Sequence, residues 1–269
     1  MHQHVFVGGD FFMQRMPNHC RDDLNVAALP RELTNAAEGT LAFLHLEAAR
    51  IEIRDAGITS GKIRTEIFVQ NLTGHKLPTA FPSRRAWLHF VVRDRDGKTV
   101  FESGAHQPDG SIVGNDNDAD KREYQPHYHE ITSPDQVEIF EPILADSKGH
   151  VTTGLLDAVG YVKDDRLLPS SFDKNRAEKD IAVVGDAATD PNFTAGGALV
   201  RYSISPGNAP GPFHIEVEPW YQPIGYRSAH NLAPYQAHET QRFVHYYEAM
   251  STTTATVLAR AEREIETAP

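Results

Sequence analysis

Four clusters in this sequence have residue types and spacings that could do chemistry. His-x-His occurs twice, at His2/His4 and His127/His129. Residues two apart on a strand point to one side, so each pair could chelate zinc, copper or iron, with Glu123 or Glu130 as a third ligand to the second. The alternative is chance, because the chain has 14 histidines. The loop from Asp109 to Asp120 sets Asp116, Asp118 and Asp120 at alternate positions, with Asn115 and Asn117 between them. Calcium takes about six to eight oxygens from flexible loops, so Asn115, Asp116, Asp118 and Asp120 are candidate ligands for a structural calcium ion. Lys121 stands where an EF-hand loop needs glycine, so the loop is not an EF-hand; the alternative is a solvated acidic loop. Finally, residues 71–89 place His75 at the tip of a loop shaped by Gly74, Pro78 and Pro82, just before Arg84 and Arg85. Two guanidinium groups there could hold a carboxylate or phosphate; alternatively, one arginine pairs with an acidic neighbour and Trp87 belongs to the core.

Other templates are missing. There is no Gly-x-Ser-x-Gly, phosphate loop or G-x-G-x-x-G. The single cysteine, Cys20, is followed by Arg-Asp-Asp-Leu, so it forms no intramolecular disulfide, no cysteine-rich zinc site and no C-x-x-C-H haem attachment. Asn71-Leu-Thr73 and Asn192-Phe-Thr194 match glycosylation sequons, which are common by chance.

The elements that must position these groups read as mainly β. Residues 51–56 and 62–71 form a hairpin across 57–61, and Ile63, Thr65, Ile67 and Val69 alternate with polar positions as in a half-buried strand. Residues 86–94 and 99–103 form a second hairpin across Asp96-Gly97. Residues 137–144, 181–184, 199–205 and 213–218 are further strands, and 104–135 is a long polar loop. Residues 1–33 read as loop-rich, 34–50 as a helix, and 237–264 as helical with a break near 251. Phe243, Tyr246, Tyr247 and Met250 give the last segment an apolar stripe. The expected architecture is a β-sandwich with long loops plus an N-terminal helix and C-terminal helices: an N-terminal segment over 1–50, the sandwich over 51–235 and a C-terminal helical segment over 236–269.

Composition narrows the functional classes. The formal net charge of -11 opposes nucleic-acid binding, which runs on phosphate neutralisation. Hydrophobic residues at 40% and charged residues at 23% describe a folded chain, and no apolar run is long enough for a transmembrane helix. The N-terminus has neither the basic nor the apolar region of a signal peptide.

Several blocks carry a family resemblance: "NLTGHKLPTAFPSRRAWLHF", "FESGAHQPDGSIVGNDNDAD", "DQVEIFEPILAD" and "VKDDRLLPSSFDK", with the opening "HVFVGGDFFM" and "YQPIGYRSAHNL" near the end. Together they resemble the C-terminal, non-haem globular region of large bacterial multihaem c-type cytochromes. The resemblance implies a periplasmic or extracellular electron-transfer setting. It implies that His4 and His75 serve as axial ligands, and Arg84 and Arg85 as propionate contacts, to haem c held by a partner chain or a missing domain. The haem-attaching part is absent from this sequence, and Gly196-Gly197-Ala198-Leu199 departs from a more polar family version. The expected role is therefore an accessory subunit or domain of a multihaem cytochrome assembly, more plausibly without catalytic activity of its own. Two alternatives remain: a calcium-dependent module binding a polysaccharide or protein through Tyr124, Tyr128 and Tyr221, and a metalloenzyme built on His127/His129.

Overall fold

A computed structural model describes residues 8–266. The chain opens with helices α1 (Phe12–His19), α2 (Arg21–Leu24) and α3 (Pro30–Phe43), the last running into a π turn over Leu44–Ala48. Strands β1 (Ala49–Thr59), β2 (Lys62–Asn71), β3 (Arg85–Arg93) and β4 (Thr99–Ser103) follow, then the short helix α4 (Asp116–Ala119). Next come β5 (Glu130–Ile131), β6 (Ile139–Phe140), β7 (Pro142–Asp146), β8 (Val151–Thr152), β9 (Ala158–Asp164), β10 (Phe193–Thr194), β11 (Gly197–Ile204) and β12 (Phe213–Gln222). Helices α5 (Tyr226–His230) and α6 (His238–Ala249) precede β13 (Thr256–Val257) and β14 (Ala261–Ile265). Among the described residues, no helix is long and apolar enough to cross a membrane.

Two sheets face each other. One has the order β1-β2-β11-β10, with β5 parallel to β11; the other has the order β13-β12-β3-β4, with β14 on β12 and β6 on β3. A small third sheet, β8-β7-β9, is inserted in the chain between β6 and β10. Alternation buries Ile63, Ile67 and Val69 of β2 and Val200, Tyr202 and Ile204 of β11 in one core with Leu88, Phe90 and Val92 of β3 and Ile215 and Val217 of β12. Phe90 stacks on Tyr202 with ring centres 3.8 Å apart and planes 10° apart, which ties the sheets together. Trp87 packs in a smaller cluster with Ile112, Val137 and Ile139, as the core reading of that residue anticipated.

The mainly-β expectation holds, with helices at both ends, but several elements differ. Residues 12–19 form a helix because Phe12 and Met16, one helical turn apart, are buried. Helix α3 starts at Pro30 rather than 34: proline suits the first helical position, and the Glu32 carboxylate accepts the Leu29 N–H at 2.8 Å. The first hairpin turns only at Ser60-Gly61, both at positive φ, and pairs Thr59 with Lys62. Strand β9 was not anticipated, while 181–184 contributes only the isolated bridge Asp164–Val184. The C-terminal helix stops at Ala249, and Ala261–Ile265 pairs antiparallel with β12 from Phe213↔Ile265 to Val217↔Ala261.

Candidate functional site

The block 71–79 is built rigidly. Asn71 at the end of β2 donates from its side chain to His75 O (2.7 Å) and Leu167 O (2.9 Å), and its Oδ1 accepts from the Thr73 N–H and hydroxyl at 2.8 Å. Asn71 is 2% exposed, so its sequon offers no accessible acceptor. Lys76 is buried against Asp164 (2.7 Å), which Arg166 also clamps, and Leu77 bridges to Leu167. These ties leave His75 itself exposed at the loop tip. Its Nδ1–H donates to Lys76 O at 2.9 Å, so Nε2 carries the free lone pair.

His75 lines a hollow of about 170 Å³ together with Gly8, Gly9, Pro78, Arg84 and Tyr221. The Tyr221 hydroxyl donates to Gly9 O at 2.9 Å, which seats the start of the described chain against β12. A Cβ on Gly9 would stand 2.8 Å from that hydroxyl and 3.3 Å from Arg84 Nη1, so only glycine brings the backbone this close. Arg84 Nη1 donates to Thr79 O at 3.2 Å, but its buried Nε has no partner among the described residues. The hollow therefore combines an exposed imidazole with a half-satisfied guanidinium, donors suited to iron and to a carboxylate. His4 lies outside the described residues.

Arg85 turns the other way. It is 3% exposed, and its guanidinium forks onto Asp118 at 2.8 and 3.0 Å while Nε donates to Gln222. The second Asp118 oxygen also accepts the Ile112 N–H at 2.9 Å. Arg85 is thus no surface donor for a propionate, and Asp118 is committed to Arg85 rather than to an ion; the acidic-neighbour reading fits this arginine. The rest of the acidic loop does not converge. Asn115 caps α4 by accepting the Asn117 N–H, Asp116 opens that helix, and Asp120 pairs outward with Arg122. Among the described residues, Asp116, Asp118 and Asp120 do not come together as a group of three acidic ligands.

His127 and His129 meet partners the sequence spacing did not show. His127 is 5% exposed, and its Nδ1 lies 2.7 Å from Glu138 Oε1 and 3.3 Å from Asp165 Oδ2. Its Nε2 lies 3.1 Å from Asp190 Oδ2, and His129, on the exposed side, reaches the same oxygen at 3.1 Å. Neither Glu123 nor Glu130 belongs to this group. Lys163 sits 3.3 Å from Asp165 and donates to Ile139 O. Burial disfavours a charged imidazole, yet the carboxylates of Glu138 and Asp165 outweigh it and hold the His127 pKa up to about 11. Nearby, burial pushes Glu141 up to about 7 despite the opposing charges of Lys163 and Arg85. Glu141 lines a second cavity of about 170 Å³ with Ser83, Asn117, Thr152, Arg227 and Ser228, and its buried Oε1 has no donor among the described residues.

No family model matches the sequence, and no curated protein matches it. Among solved structures, the chain is similar to a penta-heme cytochrome c552 from Thermochromatium tepidum, at 14% identity and a TM-score of 0.46. The match covers 83% of this chain and 41% of that chain, so this chain spans less than half the length of that protein.

Proposed function

We propose that this chain is a β-sandwich accessory unit of a multihaem cytochrome assembly, with the His75–Arg84 hollow facing a haem held by a partner chain or by a domain outside this sequence. The observation that carries the reading is the convergence of Gly8-Gly9, His75 and Arg84 on one hollow. These residues belong to the sequence blocks that resemble multihaem cytochromes. The hollow is below the size of ordinary small-molecule pockets, roughly 300–1,000 Å³, so it suits the edge of a haem rather than a whole porphyrin. His75 offers Nε2 to iron while its Nδ1–H is fixed on a backbone carbonyl, the second contact that usually orients a ligating imidazole. Arg84, half-buried on the wall of the hollow, offers its guanidinium to a propionate. Arg85, committed to Asp118, has no part in this role.

The reading is tested by titrating the chain with a haem c peptide that has one open axial position. Conversion to a low-spin spectrum is expected, and His75→Ala should weaken it by at least about tenfold, since even outer contacts of a metal ligand cost about 10–100-fold. Arg84→Gln should weaken it less. A titration unchanged by His75→Ala would remove His75 from the role.

A further inference from the structure

We infer that His127 Nδ1, Glu138 Oε1 and Asp165 Oδ2 together bind one divalent transition-metal ion, with Asp190 as the outer carboxylate that orients the imidazole. This site is separate from the His75 hollow and does not depend on its role.

One ligand atom from each of the three residues lies within 4.8 Å of the others, and His127 Nδ1 stands 2.7 Å from Glu138 Oε1 and 3.3 Å from Asp165 Oδ2. Neighbouring ligands around an ion held at about 2.0–2.2 Å are separated by about 3 Å, so the spacing fits a shared ion. The alignment around Glu138 favours it further. Oε1 lies 2.7 Å from His127 Nδ1, yet among the described residues it has no aligned hydrogen-bond donor. Glu138 is 0% exposed, and a buried carboxylate oxygen without a donor is costly unless a cation meets it.

The remaining atoms are arranged as a metal site requires. Tyr128 N–H donates to Glu138 Oε2 at 2.7 Å, and Glu141 N–H donates to Asp165 Oδ1 at 3.0 Å, which leaves one oxygen of each carboxylate directed at the imidazole. On the far side of the ring, His127 Nε2 donates to Asp190 Oδ2 at 3.1 Å, and Asp190 is itself anchored by the Asn192 N–H at 2.7 Å. That contact keeps one proton on Nε2, so an ion would enter at Nδ1 by displacing the proton that Nδ1 shares with Asp165 Oδ2 at 3.3 Å, as in a carboxylate–histidine–metal relay. One imidazole with two carboxylates suits zinc, manganese or ferrous iron better than calcium or magnesium. Lys163 Nζ lies 3.3 Å from the same Asp165 Oδ2, so a bound ion would share that oxygen with the ammonium. His127, Glu138 and Asp165 are all buried, so the ion is structural and enters during folding. The competing occupant is a proton on Nδ1, giving a buried imidazolium.

The test uses the full chain, unfolded in chelator and refolded with or without cobalt(II). About one cobalt per chain, with ligand-field bands and a raised melting temperature, is expected. Glu138→Gln should weaken uptake by at least about tenfold. Glu216→Gln, in the exposed group of His214, Glu216 and Glu262, should leave uptake unchanged. If Glu138→Gln does not refold, Asp190→Asn takes its place, with weakened uptake again expected. A wild-type chain that refolds fully and takes up no cobalt, zinc or manganese contains the imidazolium instead and overturns the proposal. Uptake lost in Glu216→Gln and kept in Glu138→Gln overturns it equally.

Discussion

Replacing Asp118 with alanine is expected to destabilise the chain by about 3–5 kcal/mol, the usual result of removing one member of a buried ion pair. Asp118 receives both arms of the Arg85 guanidinium and the Ile112 N–H, and side chains of both partners are almost fully buried. Without the carboxylate, a permanently charged guanidinium stays inside the protein with only neutral acceptors, Gln222 and Gly110 O. Burial would lower the Arg85 pKa, but the Asp118 charge and hydrogen bonds outweigh it and raise the pKa instead. Urea denaturation reads the loss as a lower midpoint at similar slope. Arg85→Met combined with Asp118→Leu should recover much of it, because two apolar groups leave no buried charge. A loss below about 1 kcal/mol for Asp118→Ala would mean that the pair is solvated.

Glu141→Gln should stabilise the protein at alkaline pH. The Glu141 carboxyl is buried, has no donor on Oε1 among the described residues, and is pushed by burial up to about 7 from an ordinary value of 4.5. A carboxyl whose folded pKa is raised contributes stability that is complete below the unfolded pKa and is lost as pH rises through the folded one. The window runs from 4.5 to about 7. At about 1.4 kcal/mol per pKa unit, the advantage of the glutamine variant should grow by about 2–3 kcal/mol between about pH 5 and pH 8.5. Denaturation midpoints at several pH values would show it. A difference that does not vary with pH would mean that the carboxylate stays ionised and paired.

Where one face of a strand meets the core, the sequence was legible. Ile63, Ile67 and Val69 alternate along β2, Phe213, Ile215 and Val217 alternate along β12, and these positions are buried as expected. Strand β14 carries no such signal: of its residues only Ile265 is buried, so Ala261-Glu-Arg-Glu-Ile reads as a charged helix face until β12 supplies the pairing. Arg84 and Arg85 are adjacent, yet the start of β3 sends one to the surface hollow and the other inward to Asp118. The partner lies 33 residues away, a distance that spacing cannot anticipate. The same limit applied to His127, whose partners Asp165 and Asp190 are 38 and 63 residues distant and were reached only by folding. The acidic loop misled for the opposite reason. Its spacing suggested oxygens converging on calcium, but the α4 turn sends Asp118 inward and leaves Asp120 pairing outward with Arg122.

An absorption spectrum of the natively purified protein, taken with mass spectrometry of whatever accompanies it, tests the cytochrome role most directly. A Soret band is expected, contributed by a companion polypeptide, or by an adjoining stretch of the same one, that carries C-x-x-C-H motifs. Colourless material free of any such polypeptide would contradict it.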